Sequence, residues 1–340
     1  MSMDLEAAVF HPKTRFQLAE ERGWDWREVL DFSEPVNPLG PAPGVREALS
    51  GALDRIHCYP EAWGSSLVEK LARRWQVAPE QILLGNGVTE LIHFTARMWR
   101  KEAAALAAPA PLEFHRAHPA ALIVNWNEPH LWPDSGLVFF AQPNDPIGQT
   151  IGREQLQDWL AGTKNPAIVD ESYIEFTETP SLIPMIGTRP NLFVLRSLSK
   201  FYALAGLRIG ALVGDAGNIA SLREKREPWQ VNVLAEIAAH RSLDDLDHAA
   251  RTKALVAEER EWLWRRLRRI PVITPVRSET NYMLIYLTSG VRDLVRYLEN
   301  HKILVRDCTG WPGIEGEAIR IAVRTRPENE EFVRLMERYY

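Results

Sequence analysis

Cysteine is scarce in this sequence: Cys58 and Cys308 stand far apart, in no paired spacing, among 340 residues. That excludes a disulfide framework and a cysteine-rich zinc module, and no metal site is expected. A long run of one charge is also missing. Lys and Arg number 40 and Asp and Glu 45, a formal net charge of −5. Nucleic acid demands a clustered basic face to neutralise its phosphates, so it is not an expected partner. No apolar run approaches the ~20 residues that span a bilayer, so no membrane partner is expected either. The stretch Met1 to Glu6 is polar and acidic, without the basic-then-apolar layout of a signal peptide. The cytoplasm is the expected compartment.

What is present is ordinary globular composition, 46% hydrophobic and 25% charged. The length exceeds what one core usually serves, so a large domain and a smaller one are expected. Leu67 to Val77 has helical spacing, Gln81 to Leu84 reads as a strand entering Gly85-Asn86-Gly87, and Thr89 to Trp99 follows as a helix. Further strands are expected at Ala121 to Val124, Leu137 to Phe140, Ala167 to Val169, Leu192 to Leu195 and Leu207 to Val213. Most are too evenly apolar for half-exposed antiparallel strands, which points to a mostly parallel sheet covered on both faces. The fold class is therefore α/β, with ligands at the carboxyl ends of the strands. After Asn232 the texture changes to a charge-rich helix, Leu246 to Arg269, and then short strands and helices of a small α+β domain. The expected division is 41–235 for the large domain, with 1–40 and 236–340 forming the small one.

The segment richest in chemistry is Arg196-Ser-Leu-Ser-Lys200-Phe-Tyr-Ala-Leu-Ala-Gly206-Leu-Arg208-Ile-Gly210. A strand ends, a lysine follows, and an arginine comes eight residues later among glycines. Such a run supplies an amine for a carbonyl cofactor, hydroxyls and a guanidinium for a phosphate, and glycines for close backbone approach. Upstream, Asp170-Glu-Ser-Tyr173 follows a strand, where a carboxylate can serve either as a helix cap or as a partner for a ring nitrogen. Gly85 to Glu90 leads a strand into a helix whose first amides, with the Thr89 hydroxyl, suit a phosphate.

In this combination and order the chain resembles the fold-type-I pyridoxal 5′-phosphate (PLP) enzymes of the histidinol-phosphate aminotransferase and threonine-phosphate decarboxylase group, over nearly its whole length. The resemblance implies an aspartate-aminotransferase-like fold and PLP as cofactor, carried by Lys200 as a Schiff base. It further implies Asp170 on the pyridine nitrogen, Tyr173 on the phenolic oxygen, and Gly87, Val88, Thr89, Ser197, Ser199 and Arg208 around the phosphate. Tyr59 is implied to reach the cofactor of a neighbouring subunit, and hence a homodimer.

Two positions depart from the family. Asn144-Asp145-Pro-Ile-Gly148 stands where Asn-Asn-Pro-x-Gly is usual, and the second asparagine normally donates to the phenolic oxygen. An ionised Asp145 there would meet a repulsion of about 4 kcal/mol at an effective dielectric of ~20. The expectation is that Asp145 is held neutral, or that Asn144 replaces it as donor. The other departure is Pro111, which stands where an aromatic ring stacks on the pyridine; Phe114 or His115 is expected to move in.

The substrate is read from Val305-Arg306-Asp-Cys308, Trp311-Pro-Gly313 and Ile319-Arg320-Ile-Ala-Val-Arg324. The resemblance gives Arg320 the substrate carboxylate, held in the bidentate fork that guanidinium supplies. Arg324, four residues on along a strand, is expected on the same face. With Arg306, these arginines suggest a small amino acid bearing a second anionic group, such as a phosphate. This segment, with Pro228 to Asn232 and Asp31 to Gly40, is more similar to threonine-phosphate decarboxylase, which also implies substrate contacts at Asn37 and His11. Decarboxylation is the expected reaction and transamination the alternative. A PLP-fold protein without turnover, motivated by Pro111 and Asp145, is the third reading.

Overall fold

The structure, a computed structural model, describes residues 13–100, 102–133 and 136–340. Its strands are β1 (Leu30–Asp31), β2 (Ile82–Gly85), β3 (Ala104–Ala108), β4 (Leu122–Asn125), β5 (Leu137–Ala141), β6 (Ala167–Asp170), β7 (Leu192–Ser197) and β8 (Gly210–Val213). There follow β9 (Ile273–Pro275), β10 (Tyr282–Leu287), β11 (Ile303–Leu304), β12 (Arg306–Asp307) and β13 (Glu317–Ala322).

Alternate residues of the central strands enter two different cores. Val138 and Phe140, Ala167 and Val169, Leu192 and Val194 join one cluster, while Phe139, Ile168, Phe193 and Leu195 join another. Successive side chains of a strand point to opposite faces, so both faces are covered and the strands must be apolar throughout. Each fully buried Val, Leu or Phe contributes about 1.5–3 kcal/mol, and cutting one back to Ala, as in Leu195→Ala, costs about 2–5 kcal/mol.

The sheet has seven strands in the order β2-β8-β7-β6-β5-β3-β4. The pairs from β7 through to β4 are parallel, and β8 runs antiparallel to both β2 and β7. Parallel order puts the carboxyl ends of β5, β6 and β7 side by side. The antiparallel β8 lets β2 deliver its own carboxyl end, Gly85, opposite Gly210. The helix that follows, Val88–Met98, buries Val88, Leu91, Ile92 and Thr95, the 3- and 4-residue spacing of one face. Thr95 returns its hydroxyl to the Leu91 carbonyl, and the helix stops at Trp99.

A second sheet, β12-β13-β10-β9, is antiparallel throughout and packs in its own cluster around Ile285, Ile319 and Phe332. Beside it, β1 pairs with β11, and Phe32 stacks on Phe332. The long helix Leu246–Leu267 connects the two sheets, with Val256 in the first core and Leu263 in the second. No described helix is long and apolar enough to cross a membrane.

Candidate active site

The carboxyl ends of β6 and β7, the N-terminus of helix Val88–Met98 and one face of the second sheet line an open cleft. Lys200, three residues past the end of β7, lines it, and its ammonium stands 3.7 Å from Glu34 and 6.0 Å from the Tyr173 ring centre. The turn that carries Lys200 is fixed from both sides. Ser197 Oγ accepts from the Ser199 amide at 3.2 Å, and Ser199 Oγ donates to the Ile209 carbonyl at 3.2 Å.

Val88, Thr89, Ser197, Ser199 and Arg208 line one end. Gly87 begins the helix at φ +81°, and a β-carbon on it would stand 2.5 Å from Arg208 Nη2. A β-carbon on Gly210 would stand 2.9 Å from the Val88 amide nitrogen. The two glycines thus keep a guanidinium and a helix N-terminus close together, an arrangement that recognises a phosphate. Asp170, at the end of β6, is buried and accepts from the Ser172 amide at 2.8 Å. Burial, aided by the charges of Asp145 and Glu113, pushes its carboxyl up to about 6. A protonated ring nitrogen is the cation that would offset this cost. Tyr173, buried and edge-on to Tyr282 with centres 4.8 Å apart, also lines the cleft. The residues present therefore fit PLP: a phosphate cradle, an amine and a buried acid at the ends of adjacent strands.

Arg306 and Arg320 line the far wall and are register partners across β12 and β13. Arg306 lies over the Trp311 ring at 5.2 Å. Arg320 donates from Nη1 to Asp145 at 2.5 Å and from Nη2 to the Ser33 carbonyl at 3.0 Å.

The structure places several expected residues elsewhere. Asn37 does not reach the cleft: its amide donates to the Phe201 carbonyl (2.9 Å) and Thr252 Oγ1 (2.8 Å), and its oxygen accepts from Leu39. Arg324 lies beyond β13, which ends at Ala322, so strand alternation no longer sets its face; it pairs with Glu328 at 2.7 Å. Asn144 gives its amide to the Pro109 carbonyl at 2.7 Å and is not among the residues that line the cleft. Asp145 pairs with Arg320 at 2.5 Å. Phe114 is fully buried against Phe139 and His115 is buried away from the cleft; Pro111 and Leu112 line the wall instead. Tyr59 stands 86% exposed, its ring against Trp229. His11 lies outside the described residues. Among the described residues, no group of three or more His, Cys, Asp or Glu side chains is arranged to hold a metal ion.

Sequence reasoning missed Glu34, Glu113 and Trp311 as lining residues. Burial pushes the Glu34 carboxyl up, but the charges of Lys200, Arg320 and Arg306 bring it below its ordinary value. Glu34 and Trp311 lie inside segments already singled out, so their position beside Asn37 and Arg306 was the available signal.

Comparison with known proteins decides the family. The model for "Aminotransferase class I and II" matches residues 128–336. This chain is a member of the class I and II aminotransferase family. It is similar to threonine-phosphate decarboxylase of Salmonella typhimurium, 34% identical over 326 residues and 90% of each chain. Histidinol-phosphate aminotransferase of Methanothermobacter thermautotrophicus is 30% identical over 94% of this chain and 91% of its own. The crystal structure of L-threonine-O-3-phosphate decarboxylase from Porphyromonas gingivalis superposes with a TM-score of 0.85 at 26% identity, covering 92% of this chain and 99% of that one. The family and the chemistry of the cleft together indicate PLP as the cofactor of this aminotransferase-family enzyme.

Proposed function

We propose that the protein is a PLP-dependent decarboxylase of a phosphorylated amino acid, with L-threonine O-3-phosphate as the substrate to test first. The observation that carries this reading is the pair Arg306 and Arg320, which line the same cleft as Lys200 from paired strands. Two guanidiniums suit a substrate with two anionic groups. The relationship to threonine-phosphate decarboxylases supports it.

Bound PLP supplies an electron sink for the pair released at the substrate's Cα. Gly87, Val88, Thr89, Ser197, Ser199 and Arg208 would hold its phosphate, Asp170 its ring nitrogen and Tyr173 its phenolic oxygen. Lys200 would hold the cofactor before substrate arrives and afterwards would move a proton at Cα. Arg306 and Arg320 bind the anionic groups and so orient Cα toward Lys200. Pro111 and Leu112 cover the cleft with apolar surface and exclude water from that wall.

The test is CO₂ release from L-threonine O-3-phosphate by PLP-loaded protein without any keto acid. Catalytic release is expected. A keto product that appears only with 2-oxoglutarate would move the enzyme to the aminotransferases, the reading that the Methanothermobacter relative favours. Absence of both reactions, with no yellow colour on adding PLP, would leave a binding protein on this fold.

Assembly and placement are proposed with this reading. The exposed Tyr59 and Trp229, with exposed Leu53 and Ile56 nearby in sequence, support a homodimer in which Tyr59 reaches the partner's cofactor. Sedimentation that finds a monomer with full activity would overturn it. The domain division follows 41–235 against 1–40 with 236–340. Helix Val233–Asp244 still packs in the first core through Ala235, Ala238 and Leu243, and the chain crosses within helix Leu246–Leu267, between Val256 and Leu263. Two unpaired cysteines support the cytoplasm as the compartment.

A further inference from the structure

Arg320 is the guanidinium from which a bidentate grip on a substrate carboxylate is expected, yet the protein itself already engages it. Nη1 donates to Asp145 at 2.5 Å and Nη2 to the Ser33 carbonyl at 3.0 Å, while the buried Nε has no partner. The two side chains are 8% and 10% exposed, so solvent screens their interaction little. Burial opposes the charge of Arg320, and Asp145, ahead of Tyr173, Cys308 and Glu34, restores it. An asparagine at 145, as the family pattern has it, would leave a whole positive charge for an incoming anion. Aspartate takes that charge up. Tyr282, packed 5.4 Å beneath the guanidinium and hydrogen-bonded through its hydroxyl to the Asn144 carbonyl at 2.7 Å, holds the pair in place.

We propose that Asp145 is a specificity-determining residue that weakens ground-state binding of an α-carboxylate at Arg320 and thereby favours its departure as CO₂. Arg320 Nε is a donor still without an acceptor, and a substrate carboxylate that took it would lie beside the carboxylate of Asp145. Like charges brought together in a partly desolvated site repel strongly. When the bond between Cα and the carboxylate carbon breaks, its electron pair stays at Cα, where bound PLP supplies the sink. The carboxylate carbon leaves as neutral CO₂, and Cα then takes a proton from Lys200. One negative charge has left the neighbourhood of Asp145. The repulsion thus acts on the substrate and not on the amine product, and interactions that differ along a reaction in this way change its rate. Transamination keeps the carboxylate and gains nothing from it.

This inference rests on the decarboxylase reading, and its test separates the two. Two stable mimics are made by reducing the imine of pyridoxal phosphate with O-phospho-L-threonine, and with the amine phosphate that lacks only the carboxylate. Calorimetry gives the affinity of each for the full-length cofactor-free protein and for Asp145→Asn. The unaltered protein is expected to bind the carboxylate-free mimic about tenfold or more tighter, and Asp145→Asn to close or reverse that ratio. Equal or tighter binding of the carboxylate mimic by the unaltered protein would overturn the proposal. So would an unchanged ratio in an Asp145→Asn protein that melts like the parent. Should that variant fail to fold, the ratio in the unaltered protein decides alone. Failure of both mimics to bind removes the cofactor reading and this inference with it. The expected ratio without CO₂ from L-threonine O-3-phosphate would uphold the charge selection and remove the decarboxylation.

Discussion

The backbone amide of Asn37 donates to the carbonyl of Lys200 at 3.0 Å. The N-terminal segment is therefore bonded to the residue proposed to hold the cofactor, and the Asn37 side chain repeats the tie through Phe201 and Thr252. Asn37→Ala leaves these buried partners unsatisfied and is expected to cost about 2–3 kcal/mol in urea unfolding. The variant should still bind PLP once folded. An unchanged stability together with lost substrate affinity would instead return Asn37 to the substrate.

Gly87→Ala puts a β-carbon 2.5 Å from Arg208 Nη2 at a backbone angle of +81°. The strain costs about 1–2 kcal/mol, and Arg208 must move out of the cradle. PLP affinity, measured by the absorbance of the bound cofactor, should fall about tenfold or more, since a charge-assisted hydrogen bond contributes about 1.5–3 kcal/mol. Affinity equal to the parent's would show that the phosphate does not use this end of the cleft.

Burial raises the Asp170 carboxyl from 3.8 to about 6, so the folded protein holds this proton more tightly than the unfolded chain. Stability of the cofactor-free protein should therefore fall as pH rises through that window and level off above it, by about 3 kcal/mol. Urea unfolding against pH, compared with Asp170→Asn, isolates the contribution. Adding PLP should remove the difference, because the ring nitrogen gives the carboxylate a cationic partner. A pH profile identical in parent and variant would sink this account.

Arg196 is buried between Glu171, at 3.6 Å, and Glu175, at 2.5 Å, and lies over the Trp75 ring. Glu171 also accepts from Ser181 and Leu182 at 2.6 Å. The second residue of the Asp-Glu-Ser-Tyr run thus anchors the loop, while Asp170 and Tyr173 face the cleft. Arg196→Met strands a buried carboxylate and should destabilise by about 3–5 kcal/mol in thermal or urea unfolding. A loss below ~1 kcal/mol would mean that solvent reaches Glu171.

That Lys200, Asp170 and Arg208 would line one cleft was legible because each lies within a few residues of a strand end, where local pattern and position in the fold coincide. The two-faced burial of β5, β6 and β7 was legible for a related reason: a short unbroken apolar run, bounded by turns, suits a strand with no face left to water. Arg324 was misplaced because a two-residue period was carried past Ala322, where the strand stops. Asn37 was misplaced because its partners, Phe201 and Thr252, lie far along the chain and no local spacing announces them. Phe114 failed to cover the cofactor position because the helix Leu112–Ala117 turns it toward Phe139. The pairing of Asp145 with Arg320 joins residues of the two sheets' territories, and only the assembled fold reveals it.

The antiparallel strand β8 also sets a timetable. β2 ends in the glycine turn of the proposed phosphate cradle, yet among the described residues its one partner strand is β8, more than a hundred residues later. On the ribosome, this first-made piece of the proposed cofactor site must wait unpaired until β8 emerges. PLP cannot serve as a template for the early chain. It can only lock a sheet that has already closed, so cofactor supply should govern how long the finished protein lasts rather than how fast it folds.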